Sequence, residues 1–356
     1  MVLLMGRYLN DMTREEIACV MEDLKEPSYR AGQICDWLYR KRARRLADMT
    51  NLPTGLRDNL SERYDILVLG QTGKSVSAAD GTVKYGLALP DGNQIETVFL
   101  PHARGATLCI SSQVGCGFGC KFCATGQAGF KRDLSPAEIV GQVLFIQDQH
   151  EDQAGRTRPF SNIVFMGMGE PLLNYENTLK AVAILIREMG IGARRITIST
   201  SGLPEGIMAL AREPYELGLA ISLNATTDEK RQKIMPVAAR TPLVKLMNAA
   251  RYYHALKGRI LTFEYVLIKD VNDSIKDAHE LASLTREVPA KINLIALNPF
   301  PGCKYERPDR DAVAKFETIL RSRGKKVTLR SSLGSDIQAA CGQLAVRRKK
   351  PAERNT

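Results

Sequence analysis

The chain has 356 residues, and its 50 Lys and Arg residues outnumber 39 Asp and Glu residues, which gives a formal net charge of +11. No run of about 18 apolar residues occurs, so the sequence excludes a membrane-spanning helix, and the first seven residues are too short for a signal-peptide core. The eight cysteines are too few and too clustered for a secreted disulfide scaffold. We expect a cytoplasmic protein whose positive charge favours a polyanionic partner such as nucleic acid.

Residues 1–63 are predicted to form a small domain of short helices. The segment Thr13 to Glu16 has the pattern of a capping box, and apolar residues follow it at helical spacing. A second helix is expected to begin near Arg30, to place Trp37 in the core, and to lead into the run Arg40 to Arg45, which has five basic residues in six positions. We expect this run to contact RNA phosphates, although a solvated helix face has the same pattern.

The pattern changes to strands and turns over residues 64–101. Asp80-Gly81 and Asp91-Gly92 are typical of hairpin turns, and the strand-like runs Lys84–Leu89 and Glu96–Leu100 lie beside them. We therefore predict a short β-hairpin element that links the helical domain to the rest of the chain.

Residues 102–324 are predicted to form the largest domain. Six strand-like runs alternate there with segments of helical periodicity: Thr107–Ser111, Asn162–Met166, Arg195–Ser199, Leu219–Leu223, Leu261–Leu267 and Lys291–Leu297. This alternation predicts an α/β fold with a parallel sheet, either curled into a partial barrel or left open. Residues 325–356 are expected to add a final strand, a loop that carries Cys341, and a basic tail from Arg347 to Lys350.

Three cysteines with the spacing C-x3-C-x2-C, Cys116, Cys120 and Cys123, indicate a metal centre. Three thiolates can hold three corners of a [4Fe-4S] cluster and leave the fourth iron without a protein ligand, which favours a substrate that binds that iron through its own atoms. A structural zinc site is the alternative, but it requires a fourth Cys or His. The nearest histidines, His102 and His150, are too far away in the sequence.

Polar motifs follow the predicted strands. Gly167-Met168-Gly169-Glu170-Pro171 follows the second strand, where its glycines allow close approach of a ligand and Glu170 can hold a positively charged amino group. Further hydroxyl and amide groups occur at later strand ends: Ser199 to Gly202, Ser222 to Ala225, and Asn298 to Gly302. Since the carboxyl ends of parallel strands share one rim, these groups are expected to bind one polar ligand.

The remaining cysteines lie outside the C-x3-C-x2-C motif. Cys341 lies between small residues in Ala339-Ala340-Cys341-Gly342-Gln343-Leu344, and Gly342 gives a backbone that can approach an active site. An isolated cysteine is usually a small buried hydrophobe. Cys19, Cys35 and Cys303 have no chemical setting of their own and are interpreted as structural or incidental.

Together these motifs resemble a known family. The cysteine spacing, G-x-G-E-P, T-L-C-x-S-S-Q-V-G-C (Thr107 to Cys116) and A-A-C-G-Q-L (Ala339 to Leu344) are similar to the radical S-adenosylmethionine (SAM) methyltransferases that modify C2 of adenosine in 23S rRNA and tRNA. The resemblance extends to Tyr29–Trp37 and Met49–Pro53 in the N-terminal segment. It implies a partial (β/α)6 radical SAM barrel with a helical accessory domain, a [4Fe-4S] cluster, and two SAM molecules per turnover. It also implies 23S rRNA and tRNA as partners, a flavodoxin-type electron donor, and a monomer.

The resemblance assigns a role to each motif residue. Cys116, Cys120 and Cys123 are implied to bind the cluster, Cys341 to carry the methyl group, and Cys109 to be its partner thiol. Glu96 is a proposed proton acceptor. The implied SAM contacts are Gly169, Glu170, Ser199, Ser222, Leu223, Asn224 and Asn298. Many family members have His at the position of Asn224, so the chain departs from the family pattern at this position.

The implied reaction has a radical route because C2 of adenine has no nucleophilic lone pair. Cys341 is expected to accept a methyl group from one SAM, and a 5′-deoxyadenosyl radical from a second SAM removes a hydrogen atom from that methyl group. The resulting methylene adds to C2, either Glu96 or Cys109 takes the C2 proton, and Cys109 releases the product by forming a transient disulfide. Two alternatives stay open: methylation at C8 by the sister branch, and an RNA-binding protein with a purely structural cluster.

Overall fold

The structure, a computed structural model, describes residues 8–150 and 158–345. The predicted basic tail from Arg347 to Lys350 lies outside the described residues, as do the first seven residues. Within the described ranges, no helix is long and apolar enough to cross a membrane.

The N-terminal segment is helical, as predicted. Its helices are α1 (Arg14–Asp23), α2 (Tyr29–Tyr39) and α3 (Thr54–Ser61). Helix α1 begins at the predicted capping box: the Thr13 hydroxyl accepts the Glu16 N–H, and the Glu16 carboxylate accepts the Thr13 N–H at 2.7 Å. Its apolar face, which includes the fully buried Ile17, packs into the same hydrophobic core as the rest of the chain.

In the described part of the chain, ten strands form one mixed sheet in the order β1-β2-β3-β4-β7-β8-β9-β10-β11-β12. The strands of this sheet are β1 (Gly70–Val76), β2 (Val83–Ala88), β3 (Gln94–His102), β4 (Gly105–Cys109), β7 (Asn162–Phe165), β8 (Ile196–Thr200), β9 (Gly218–Ser222), β10 (Leu261–Leu267), β11 (Ala290–Ala296) and β12 (Lys326–Leu329). Strands β1 to β4 pair antiparallel, and every pair from β4 to β12 is parallel. The predicted hairpin element therefore extends the same sheet as the parallel strands.

Helices connect the parallel strands. They are α5 (Pro136–Gln149), α6 (Tyr175–Arg187), α7 (Pro204–Arg212), α8 (Asp228–Ile234), α9 (Leu243–Lys257), α10 (Ile275–Leu284) and α11 (Arg310–Ser322). Strand β10 is an example of how deeply the sheet is buried: its residues Leu261, Phe263, Tyr265 and Leu267 have no exposed surface. Strands covered by helices in this way have near-continuous apolar sequences. The fold is thus the predicted α/β architecture with a parallel sheet.

A separate two-stranded ribbon carries the cysteine motif. Strand β5 (Gln113–Gly115) pairs antiparallel with β6 (Phe130–Asp133), and the short helix α4 (Ala124–Ala128) precedes β6. Residues 116–123, which we call the cysteine loop, connect β5 to α4. The loop is therefore inserted after β4, at the carboxyl end of the first parallel strand.

The last described segment, residues 330–345, is called the C-terminal loop. This loop starts after β12, at one edge of the sheet, and reaches the turn between β1 and β2 near the other edge. There the Gly334 N–H donates to the Asp80 carboxylate at 2.8 Å. It also contacts α4, because the Ala124 N–H donates to the Gly342 carbonyl at 2.7 Å and the Thr125 hydroxyl donates to the Leu344 carbonyl at 2.6 Å. These bonds hold Cys341 next to the cysteine loop.

Candidate active site

The cysteine loop is held by backbone hydrogen bonds and by apolar packing. The Cys116 N–H donates to the Gly129 carbonyl at 3.0 Å, and the Lys121 N–H donates to the Ile234 carbonyl at 2.9 Å. The aromatic residues within the loop, Phe118 and Phe122, belong to a small buried cluster with residues of α8 and of the strand ends. This packing places the three cysteines at the carboxyl end of the sheet.

The three thiols fit an iron–sulfur cluster. Burial raises the pKa of all three, and neighbouring thiolates add repulsion, so that the pKa of Cys116 rises to about 12. Three buried thiolates therefore need a positively charged group between them. In the described ranges, no three His, Cys, Asp or Glu side chains are arranged to bind a single ion. A [4Fe-4S] cluster suits this arrangement, because each thiolate ligates a different iron and the sulfurs need not converge on one point.

Glu170 lies beside the cysteines with its carboxylate buried. Gly169 has a φ of +103°, and a Cβ at that position would lie 2.6 Å from the Gln113 Cβ, so only glycine allows this approach. The Glu170 carboxylate accepts the Leu172 N–H at 3.1 Å and the Ser201 N–H at 2.8 Å. Among the described residues no cationic side chain pairs with it, and burial raises its pKa to about 7. A cationic ligand group would complete this site.

One open cavity brings most of the predicted SAM contacts together with the cysteines. Its volume is about 150 Å³. Its lining includes Cys116, Cys120, Cys123, Gly169, Glu170, Ser199, Ser222, Asn224, Asn298 and Cys341. Leu223 is not part of this lining and is fully buried. We call this space the first cavity.

Asn224 lines the first cavity, but its side chain is engaged by the protein. Its amide oxygen accepts the Val266 N–H at 2.9 Å, and its amide nitrogen donates to the Met235 sulfur at 3.3 Å. Its φ is +58°, a left-handed conformation that asparagine tolerates better than most residues. These contacts indicate that Asn224 supports the strand ends as well as lining the cavity.

A second cavity, of about 120 Å³, shares Cys341 with the first cavity. Its lining includes Cys109, His102, Arg330 and Cys341. Cys341 therefore lines both cavities, and Asn298 also lines both and donates to the Cys341 carbonyl at 3.3 Å. Burial, with a contribution from the neighbouring Cys341 thiolate, raises the pKa of Cys109 to about 12. The structure thus brings the two predicted thiols to the same space.

Glu96 is placed differently from the other predicted site residues. It does not belong to the described lining of either cavity. Its carboxylate lies 3.0 Å from the Lys84 ammonium and accepts the Ala345 N–H at 2.9 Å. Glu96 therefore contacts the C-terminal loop that carries Cys341.

The sequence analysis missed two charged residues of the site. Glu264 lines the first cavity and Arg330 lines the second, and 3.9 Å separates Glu264 Oε2 from Arg330 Nη1. Glu264 is the one charged residue in the apolar run Leu261–Leu267, and a carboxylate inside a buried strand could have identified it. Arg330 directly follows β12, and no local pattern in the sequence distinguishes it.

The basic run of the N-terminal domain is largely paired with acidic residues. Arg42 and Arg44 lie 3.2 Å and 3.0 Å from the Asp148 carboxylate. Arg45 pairs with Asp48, and Arg40 and Lys41 pair with Asp36. Three carboxylates thus offset part of the charge of five basic residues, which weakens the expected electrostatic attraction for RNA without removing it.

Two family models match the chain. The model described as the Radical SAM superfamily matches residues 110–282, and the model described as the ribosomal RNA large subunit methyltransferase N-terminal domain matches residues 8–66. The first match covers the cysteine loop and Glu170, and the second covers the helical N-terminal domain.

Curated proteins and a solved structure are similar over nearly the whole length. A probable dual-specificity RNA methyltransferase RlmN of Dictyoglomus thermophilum is 45% identical over 332 residues, which cover 93% of this chain and 94% of that protein. The dual-specificity RNA methyltransferase RlmN of Solidesulfovibrio magneticus is 45% identical over 342 residues, covering 94% and 95%. The crystal structure of a radical SAM methyltransferase from Sphaerobacter thermophilus has a TM-score of 0.90 at 44% identity and covers 95% of this chain and 99% of that chain.

Proposed function

We propose that this chain methylates C2 of adenosine in 23S rRNA and in tRNA, because it belongs to the dual-specificity RNA methyltransferase RlmN family of radical SAM enzymes. One observation carries the proposal: Cys341 lines both the cavity with the three cysteines and Glu170 and the cavity with Cys109. A residue at this boundary can receive a methyl group in one cavity and deliver it in the other.

The first cavity is proposed to bind the cluster and SAM. Cys116, Cys120 and Cys123 would ligate three irons, and Glu170 would accept a hydrogen bond from the SAM amino group. Ser199, Ser222 and Asn298 supply hydroxyl and amide groups to the same space. When bound, the cluster supplies the electron that splits SAM into methionine and a carbon radical able to remove hydrogen from a methyl group.

Cys341 is proposed to be the methyl carrier. Its thiolate attacks the SAM methyl carbon, so that a sulfur–carbon bond forms and the sulfonium–methyl bond breaks. The electron pair of the broken bond stays on S-adenosylhomocysteine, and the thiol proton goes to solvent. Cys341 then holds the carbon that becomes joined to C2 of adenine in the second cavity.

Cys109 is proposed to release the product. Its thiolate attacks the Cys341 sulfur, a disulfide forms, and the electron pair of the broken sulfur–carbon bond passes to the base, which takes up a proton to complete the methyl group. Addition of the carbon radical to C2 leaves an unpaired electron on the base, so one electron has to leave together with the C2 proton. That electron would return to the oxidised cluster, and Glu96 and Cys109 are both candidates to accept the proton. Cys109 lines the second cavity and Glu96 does not, which favours Cys109.

The partners follow from this chemistry. We propose that residues 1–63 contact the RNA, which the match to an rRNA methyltransferase N-terminal domain supports. We further propose that the protein acts as a monomer and receives single electrons from a flavodoxin-type donor. A cytoplasmic location would allow cellular thiols to reduce the disulfide between Cys109 and Cys341 after each turnover.

Nucleoside mass spectrometry of modified RNA tests this function. The cluster-loaded protein is incubated without oxygen with SAM, a reductant, and either 23S rRNA or tRNA transcripts. We expect 2-methyladenosine in both RNAs and 5′-deoxyadenosine as co-product. If 8-methyladenosine were the sole product, the proposed position of methylation would be wrong, and an absence of 5′-deoxyadenosine would support a purely structural cluster.

A further inference from the structure

Glu264 places a second carboxylate in the first cavity, in addition to that of Glu170. It lies inside strand β10, where its Cα pairs with that of Ser222 in β9 on one side and with that of Asn293 in β11 on the other. Its side chain is only 6% exposed. A carboxylate buried this deeply requires polar partners, because water cannot solvate it fully.

The protein itself supplies few of these partners. The Asn293 amide donates to Oε1 of Glu264 at 3.0 Å. Oε2 of Glu264 lies 3.9 Å from Nη1 of Arg330, which is longer than a hydrogen bond, and no residue that the structure describes donates a hydrogen bond to this oxygen. A carboxylate offers about four acceptor positions. Most of the acceptor capacity of Glu264 is therefore left for a ligand in the first cavity.

The order of the strands indicates which part of SAM reaches Glu264. Glu170, the proposed partner of the SAM amino group, accepts the N–H of Ser201 just after β8, and Glu264 lies two strands further along the sheet, in β10. Two strand spacings amount to about 10 Å. A ligand whose amino group binds Glu170 therefore reaches Glu264 with its opposite part, which in SAM is the nucleoside.

The nucleoside has two kinds of hydrogen-bond donor, the ribose hydroxyls and the adenine amino group. Apolar side chains line the cavity further along β10 and β11, and they suit the flat face of adenine: Val266, Ile295 and Leu297. Glu264 precedes Val266 by two residues and lies level with Ser222 in the sheet. A carboxylate at this level can accept hydrogen bonds from the hydroxyls of a ribose. The ribose is therefore the better match to Glu264.

We propose that Glu264 is a SAM-binding residue that accepts a hydrogen bond from a ribose hydroxyl and so selects ribose over deoxyribose. This role of Glu264 rests on the proposed SAM site of the first cavity. Glu170 and Glu264 then bind opposite parts of one ligand, and together they fix its orientation along the sheet. Loss of Glu264 removes the contact to the nucleoside and leaves the contact to the amino group.

Equilibrium binding of S-adenosylhomocysteine tests this role, because this molecule has no methyl group to transfer and no sulfonium bond to cleave. Isothermal titration calorimetry without oxygen measures its affinity for the cluster-loaded full-length protein, and also the affinities of its 2′-deoxy and 3′-deoxy analogues. A third analogue, S-inosylhomocysteine, lacks the adenine amino group. The variants are Glu264→Gln and, in case it folds poorly, Glu264→Met, and thermal melting checks both.

In wild type, removal of at least one ribose hydroxyl should weaken binding about tenfold, because a hydrogen bond to a carboxylate is lost. Glu264→Gln should bind S-adenosylhomocysteine about tenfold more weakly than wild type and should lose little more affinity when that hydroxyl is removed. The reason is that Asn293 donates to the carbonyl oxygen of the new side chain, so its amide nitrogen, which cannot accept, takes the other position. Glu287→Gln, the same change at an exposed carboxylate, is the matched control and should bind all analogues like wild type.

Equal weakening by the deoxy analogues in wild type and in both Glu264 variants would overturn the proposed role. If the variants instead lost their discrimination against S-inosylhomocysteine alone, Glu264 would bind the adenine amino group, and the assignment to ribose would be wrong. Failure of the proposed function gives a different result. Wild-type protein that binds neither SAM nor S-adenosylhomocysteine would show that the first cavity is not a SAM site, and the role of Glu264 would fail with it.

Discussion

Lys84 and Glu96 form a buried ion pair across the antiparallel part of the sheet, with 3.0 Å between Lys84 Nζ and Glu96 Oε1. Both residues also bind the C-terminal loop: Lys84 donates to the Gln338 carbonyl at 3.0 Å, and Glu96 accepts the Ala345 N–H at 2.9 Å. The segment between Gln338 and Ala345 contains Cys341. The pair therefore fixes the two ends of the segment that carries the reactive thiol.

Removing the cation of this pair should destabilise the protein. Because Lys84 and Glu96 are only 13% and 11% exposed, Lys84→Met removes a cation that lies 3.0 Å from a buried carboxylate, and we expect a loss of about 3 kcal/mol in the free energy of unfolding. The double variant Lys84→Met/Glu96→Gln should lose less, since it removes the buried negative charge together with the cation. Urea denaturation measures both.

A matched control for this experiment is the exposed pair of Arg251 and Glu287, whose side chains are 42% and 71% exposed. Arg251→Met should change the free energy of unfolding by about 0–1 kcal/mol. If Lys84→Met were as mild as this control, the pair would not anchor the C-terminal loop.

Glu170 should make the stability of the SAM-free protein depend on pH. Burial raises its folded-state pKa from 4.5 to about 7, so the folded protein keeps a proton that the unfolded chain has lost at intermediate pH. The contribution of Glu170 to stability is therefore complete below pH 4.5 and is lost as the pH rises through about 7. Between these pH values the free energy of unfolding of wild type should fall by about 3 kcal/mol relative to that of Glu170→Gln. Denaturation of both proteins at each pH measures this difference.

SAM binding should have the opposite pH dependence at the same residue. The ionised carboxylate of Glu170 is the form that accepts the SAM amino group, so wild type should bind SAM more tightly as the pH rises through about 7. In Glu170→Gln the affinity should be weaker and nearly independent of pH in this range. Isothermal titration calorimetry without oxygen measures both, and identical pH profiles for the two proteins would remove Glu170 from the SAM site.

Asn224 should respond to substitution mainly through stability. Asn224→Ala removes the acceptor of the Val266 N–H. It also places alanine at a φ of +58°, where no side-chain hydrogen bond offsets the strain, so we expect the free energy of unfolding to fall by about 2–4 kcal/mol. Asn224→Gly should lose about 1 kcal/mol less, because glycine adopts this φ without strain. Equal stability of wild type and both variants, combined with weakened SAM binding, would assign the side chain to the ligand instead.

Local patterns in the sequence predicted much of the fold and of the first cavity. Strand β10 has the predicted bounds Leu261–Leu267, and the capping box at Thr13 forms as expected. The grouping of the cysteines with Glu170 could be predicted because it depends on short spacings and on their position after a strand. Gly342 has a φ of +85°, and a Cβ there would lie 3.1 Å from the Phe122 carbonyl, which agrees with the predicted close approach.

Contacts between distant segments could not be predicted in this way. Glu264 lies in β10 and Arg330 directly follows β12, so α10, β11 and α11 separate them in the sequence, and their proximity depends on the order of strands in the sheet. Arg42 and Arg44 both pair with Asp148, near the C-terminal end of α5. The sequence of the basic run could not predict these ion pairs, because Asp148 is about 100 residues away. The position of Glu96 under the C-terminal loop likewise follows from tertiary packing and from no local pattern.

The two thiols should fail in different ways when they are removed. Cys341→Ala has no methyl carrier, so it should form neither methylated Cys341 nor methylated RNA. Cys109→Ala should still transfer the carbon to C2 but cannot release it, because the attack on the Cys341 sulfur needs a second thiol. Both variants should keep the cluster, which the absorbance of the reconstituted proteins checks.

The most direct measurement is therefore the covalent state of the RNA after anaerobic incubation of Cys109→Ala with SAM, reductant and RNA, read by denaturing gel and by mass spectrometry of the digested complex. We predict an RNA–protein adduct in which Cys341 is joined through one carbon to C2 of adenosine, and no adduct for Cys341→Ala or for the double variant. Inactive Cys109→Ala protein without any adduct, or an adduct that persists without Cys341, would contradict the account.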